Sequence, residues 1–222
     1  MALSKLNFNS LNLTPVAGKG IGFDSGADDL EASFSGGSMV FIKKLTADGS
    51  TSTFSFVNGS SDVVLDSTYK EYVIIINGHH PASDSVDLRM EGSVNGGSSY
   101  GVTATTTSFR SAANEANNDT DLVYRTGTDQ AQATTGIYIM SGTATGNDND
   151  QCTCVKIHLF NPSSTTFVKH FIAESSGYTD DDRNLHGFSA GYFNTTSAVN
   201  AIKFTSSSGN IDAGTITLYG IN

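Results

Sequence analysis

The stretch Tyr69-Lys-Glu-Tyr-Val-Ile-Ile-Ile-Asn77 decides how the chain is read. It is the longest clearly apolar run in the sequence and is rich in β-branched and aromatic residues. Such side chains lose rotamer freedom in a helix but fit a pleated surface, so the run reads as a strand buried on both faces. Gly78-His79-His80-Pro81 follows, where Gly and Pro are expected to stop extended pairing. The reading places this strand at the centre of a β-sandwich.

Working outward, Met39-Val-Phe-Ile-Lys-Lys44 and Thr53-Phe-Ser-Phe-Val57 flank Ala47-Asp48-Gly49-Ser50. The Asp-Gly pair is a turn signal, and the two segments are expected to form a hairpin. Val86-Asp-Leu-Arg-Met90 alternates apolar with charged residues, as a half-buried strand does, and Asn95-Gly96-Gly97 ends it in a turn. Residues 102–107 extend a strand, Phe109–Ala116 reads as a short helix, and Leu122-Val-Tyr124 as a further strand. Clear strands return at Gly136–Met140, Val155–Phe160 and Phe167–Ile172, the last two joined by a hairpin loop, Asn161–Thr166. Beyond the acidic turn Tyr178–Arg183 come Gly187–Phe193, Val199–Phe204 and Gly214–Tyr219. Strands recurring about every ten residues between Gly, Asn and Ser turns predict an all-β fold, a jelly-roll-like antiparallel β-sandwich of about eight strands. It occupies residues 39–222, behind an extended N-terminal arm, 1–38, where Leu6/Phe8 and Leu11/Leu13 alternate and Gly18, Gly20, Gly22 and Gly26 break regular structure.

The chain has 222 residues, 15% of them charged and 37% hydrophobic, with 23 Gly but only 3 Pro. That suits strands exposed on one side rather than a disordered linker. A net charge of −10 argues against nucleic-acid binding, because phosphates repel an acidic surface. No run is long enough for a membrane helix, and Met1-Ala-Leu-Ser-Lys5 lacks a signal peptide's apolar centre, so assembly in a cytoplasm is expected without membrane insertion.

Candidate chemistry is sparse. Gly97-Ser-Ser-Tyr-Gly101 satisfies G-x-S-x-G, but a nucleophile elbow needs a helix after the serine and β-like Thr-rich sequence follows Ser99. His79 and His80 sit at an expected turn; His158, His170 and His186 are scattered in sequence. His158 is expected to face outward, and His170, sharing a face with Val168 and Ile172, to be a core or interface residue. Cys152 and Cys154 share a face but lie too close for a relaxed disulfide, and read as free thiols. The acidic loops holding Asp148 and Asp150, and Asp180 and Asp182, offer the oxygen donors calcium prefers, without EF-hand spacing. Tyr100, Tyr124, Tyr138, Tyr178, Tyr192 and Tyr219 are available for sugar stacking, although Trp is absent.

Four phrases carry a resemblance: Val64–Tyr72, Asn161–Phe171, Gly191–Ala198 and the terminal Ser208-Gly-Asn-Ile-Asp-Ala-Gly-Thr-Ile-Thr-Leu-Tyr-Gly-Ile221. Together they resemble virion structural proteins of tailed phages of marine bacteria, cyanophages and their relatives. The resemblance implies a non-enzymatic β-sandwich of the phage particle, on the capsid surface, as a decoration, or on the tail. It implies assembly in the bacterial host cytoplasm and contacts with capsid or tail proteins and with other copies of itself, a trimer by analogy. It brings no catalytic or cofactor residue. A receptor-binding module for host surface glycans, presenting residues 101–135 and 143–152, is the alternative expectation.

Overall fold

The computed structural model describes residues 19–23, 30–35 and 38–222 apart from 143, with side chains from residue 38 onward. It separates the chain into a short unit, residues 1–40, and a large one, 41–222. In the short unit β1 (Lys19–Phe23) pairs antiparallel with β2 (Leu30–Ser35). Gly20 and Gly22 therefore lie inside a strand, with a local irregularity between them, instead of breaking it. The expected alternation at Leu6/Phe8 and Leu11/Leu13 lies outside the described residues.

The large unit is an all-β sandwich with no helix among the described residues. Its larger sheet runs β3 (Met39–Thr46), β15 (Ile211–Ile221), β5 (Glu71–Pro81), β11 (Thr153–Phe160), β12 (Lys169–Tyr178), β13 (Arg183–Phe193), β7 (Ala104–Asn114) and β8 (Thr120–Tyr124), with β9 (Gln130–Ala133) also paired to β7. The smaller sheet runs β10 (Ile137–Tyr138), β6 (Leu88–Ser93), β14 (Ala201–Ser206) and β4 (Thr53–Val57). The chain crosses repeatedly from one sheet to the other, so few chain neighbours are sheet neighbours.

β5 is interior, hydrogen-bonded to β15 on one side and β11 on the other. Tyr72, Ile74 and Ile76 point between the sheets and meet Ile157, Leu159 and Leu218 of the same sheet and Phe56, Met90, Ile202 and Phe204 of the other in one core. The Tyr72 hydroxyl stays satisfied in that core, accepting from the Asp66 amide and donating to the Asp66 carbonyl, both at 3.0 Å. Burial pushes its pKa up to about 12. β5 does not stop at Gly78. That glycine takes φ +60°, a bulge forms opposite Ala213 and Gly214 (φ +111°), and pairing continues to Pro81. His79 thus lies in a strand, buried, and not at a turn.

Two further expectations are corrected. Asp48 does make the predicted turn, its Oδ1 accepting from the Ser50 amide and hydroxyl at 3.0 and 2.6 Å. Yet β3 and β4 part there into different sheets and form no hairpin: β3 pairs with β15, and Phe54 and Phe56 of β4 stand opposite Phe204 and Ile202 of β14. Phe109–Ala116 is not a helix. Residues 104–114 alternate strictly inward and outward and pair with β13 along their whole length, a tertiary gain that overrides the helix propensity of Ala112 and Ala113.

The smaller sheet is too narrow to cover the larger one. Under β13 and β7 the interior becomes polar: Ser108 shares a hydrogen bond with Thr128 at 2.9 Å, and Ser189 donates to the Tyr138 carbonyl at 2.8 Å. Gln130 donates to the carbonyls of Thr135 and Gly136, both at 3.0 Å. Arg110 reaches Asp121 at 3.3 Å in the same layer. Lys169 is also buried. Its ammonium donates to the carbonyls of Phe167 (2.6 Å) and Thr195 (2.9 Å), tying two loops together, and burial holds the amine below its ordinary range.

Candidate interaction face

Side chains alternate across a sheet, so the register that buries Ile157, Phe171 and Leu185 sends the other half of each strand outward. On the larger sheet that outward half is exposed at Phe109, Tyr124, Leu122 and Ile172, while Val73 and Thr217 are covered by their neighbours. Cross-strand pairing orders it into rows. Tyr219, Val73, His158, Ile172, Ala190 and Thr107 form one row; Thr217, Ile75, Lys156, Glu174, Phe188, Phe109 and Tyr124 form the next. His170 and Tyr192 lie beyond the first row, and Cys154, Ser176, His186, Ser111 and Leu122 lie beyond the second.

The face is apolar and aromatic for a surface. Ile172 is 51% exposed, Phe109 42%, Tyr124 48% and Leu122 78%. Phe109 and Phe188 stack at 4.8 Å, His186 tilts over Phe188 at 4.3 Å, and His170 meets Tyr192 edge-on at 5.7 Å. Phe41 of β3 extends the aromatic surface to Tyr219. The ionic groups pair diagonally: His186 Nε2 is 2.9 Å from Glu174 Oε1, and His158 Nδ1 contacts Glu71. The Tyr124 hydroxyl donates to Asp129 at 2.8 Å, which holds its pKa above the usual phenol range. Two shallow hollows indent the face. One, of about 480 Å³, opens where Ala190, Gly191 and Thr107 are small, beside Ile172. The other, of about 260 Å³, lies between Ile75, Cys154 and His186.

The three histidines scattered in sequence therefore stand on one surface. His158 faces outward as expected, but so does His170, which is no core residue; the inward phase of β12 belongs to Lys169, Phe171 and Ala173. Sequence periodicity concealed this because β12 begins with an inward lysine, Lys169, and carries the apolar Ile172 outward. The large apolar residues Ile172 and Phe188, in the outward phase of β12 and β13, were the available signal for this face. Cys154 lies on the face as well, its sulfur accepting from the Gly78 amide at 3.3 Å, while partial burial and then Cys154 push the Cys152 thiol up. Both cysteines are free and exposed.

The other candidates lie elsewhere. Ser99 sits in a loop, its hydroxyl accepting from the Asn95 side chain at 2.8 Å, and β7 follows rather than a helix. Asp148, Asp150, Asp180 and Asp182 are all exposed and come together at one acidic end of the sandwich. Buried Gln151 joins their two loops, accepting from the Asp148 amide at 3.2 Å and donating to the Thr179 carbonyl at 3.0 Å. Tyr178 stands there too, its pKa raised by partial burial and by Asp182, Glu115 and Asp150. Among the described residues no three His, Cys, Asp or Glu side chains stand close enough together to hold a metal ion. Tyr100 and Tyr138 lie with the smaller sheet beneath Lys203 and Arg89, so the tyrosines do not share one platform. No family model matches the chain, and neither a curated protein nor a solved structure matches it.

Proposed function

We propose that the chain is a non-enzymatic structural module of a phage particle, a β-sandwich that joins the capsid or tail through surface contact. The observation that carries this reading is the broad, flat, aromatic outer face of the larger sheet, which offers contact area where an enzyme would offer a cleft. The phrases resembling virion proteins supply the particle. The two hollows on the face are shallow, and the acidic protein around it favours solubility before assembly. The test is peptide mass spectrometry of purified particles from the phage that encodes the chain. Stoichiometric peptides in particles that survive a high-salt wash support the reading; their absence from intact particles overturns it.

A second reading, recognition of host surface glycans, draws on the hollow of about 390 Å³ lined by Asn114, Glu115, Tyr178 and Asn184 at the acidic end. Polar groups beside an aromatic ring suit a sugar. Glycan-array binding lost on Tyr178→Ala would favour it over the structural role.

A further inference from the structure

We infer that the outer face of the larger sheet is a homotypic interface, occupied by the same face of a second copy of this chain. The inference rests on the structural reading above and names its partner. Three observations select that partner.

The first is size. Seven strands from β15 to β8, about 4.8 Å apart, span about 29 Å, and their rows cover about 20 Å along the strands. The projected patch is about 600 Å², and its corrugated accessible area approaches the roughly 800 Å² per partner of a stable complex. The second is charge. Copies of a chain carrying −10 repel one another, and they approach at least cost where the surface is nearly balanced. Among the described residues of this face, Lys156 and the histidines His158, His170 and His186 stand among three carboxylates, Glu71, Glu174 and Asp129, each already partnered by a histidine or by the Tyr124 hydroxyl. An acidic or strongly basic partner has no matching field here. The third is shape. Ile172, on the fourth of the seven strands, protrudes half exposed at the centre and adjoins the hollow floored by Ala190 and Gly191. A knob and a hole side by side on one surface are what a two-fold contact requires, each copy filling the other's hollow. Central apolar anchors of this kind carry most of an interface's energy.

Sedimentation velocity on the full chain tests this with two variants, Ile172→Asp on the face and Val94→Asp on the smaller-sheet side, where Val94 is 40% exposed. The expected result is reversible association of the wild type, unchanged in Val94→Asp and weakened at least about tenfold in Ile172→Asp. Circular dichroism identical to wild type shows that both variants fold. A wild type monomeric at its highest soluble concentration overturns the inference, as does association that Ile172→Asp leaves intact. Particles that contain the chain while it stays monomeric in solution would remove the homotypic contact and leave the structural role standing; particles lacking it would remove that role independently.

Discussion

His79 is the residue whose chemistry most constrains the fold. It is 1% exposed, neither ring nitrogen has a partner among the described residues, and burial, with a smaller contribution from His80, lowers its pKa to about 4. The ring is therefore neutral in the folded chain across the pH range in which an unfolded histidine takes up a proton. Below about pH 6.5 only the unfolded state gains that proton, so stability falls as pH drops and levels off below about pH 4, a loss of about 3 kcal/mol from this one group. Urea unfolding at pH 7 and pH 4.5 should show the loss, and His79→Leu should remove that share of it. Because the ring makes no hydrogen bond, His79→Leu is expected to cost less than about 1 kcal/mol at pH 7. Gly191 constrains the fold sterically instead. A Cβ there would stand 2.3 Å from the Thr105 carbonyl oxygen, so Gly191→Ala must push β13 from β7. A loss of about 2–3 kcal/mol is expected in the same urea assay.

Among the strands, β5 holds both sheets' apolar side chains together, and Ile74→Ala should cost about 3–4 kcal/mol in urea unfolding. The terminal Gly214–Ile221 phrase acts through β15 in the same way. Ile216 and Leu218 enter the core, Tyr219 meets Phe41 outside, and a Cβ on Gly220 would strike the Tyr69 ring at 2.3 Å. Elements of this kind were legible in the sequence because one phase of the alternation is apolar and the other is not. The β11–β12 hairpin was legible from the turn-rich loop Asn161–Thr166 between two strand-like runs, and its strands pair from Thr153↔Gly177 to Leu159↔Phe171. Three things were not legible. A turn signal at Asp48-Gly49 fixes a bend but not which sheet each arm joins. Ala and Glu in 109–116 mimic a helix, until eleven residues of β13 are found opposite β7. The phase of β12 was hidden because Lys169, an inward lysine, is made tolerable by two carbonyls from loops that only the fold brings near. The candidate site was hidden with it, since His158, His170 and His186 become neighbours only across strands.

For the molecule as a whole, a charge of −10 keeps single copies apart while a nearly balanced face waits for contact. Association should therefore strengthen as salt rises from about 0.02 to about 0.5 M, because screening weakens the long-range repulsion and leaves apolar contact intact. Sedimentation at the two salt concentrations reads this directly, and association that weakens with salt would point to ion pairing across the contact instead. The most direct test of the account is a side-chain-resolution reconstruction of the particle containing the chain. Ile172, Phe109 and Tyr124 are expected to lie buried against a neighbouring subunit over most of the outer face of the larger sheet. That face standing open to solvent, with the subunit held by its other surfaces, would contradict it.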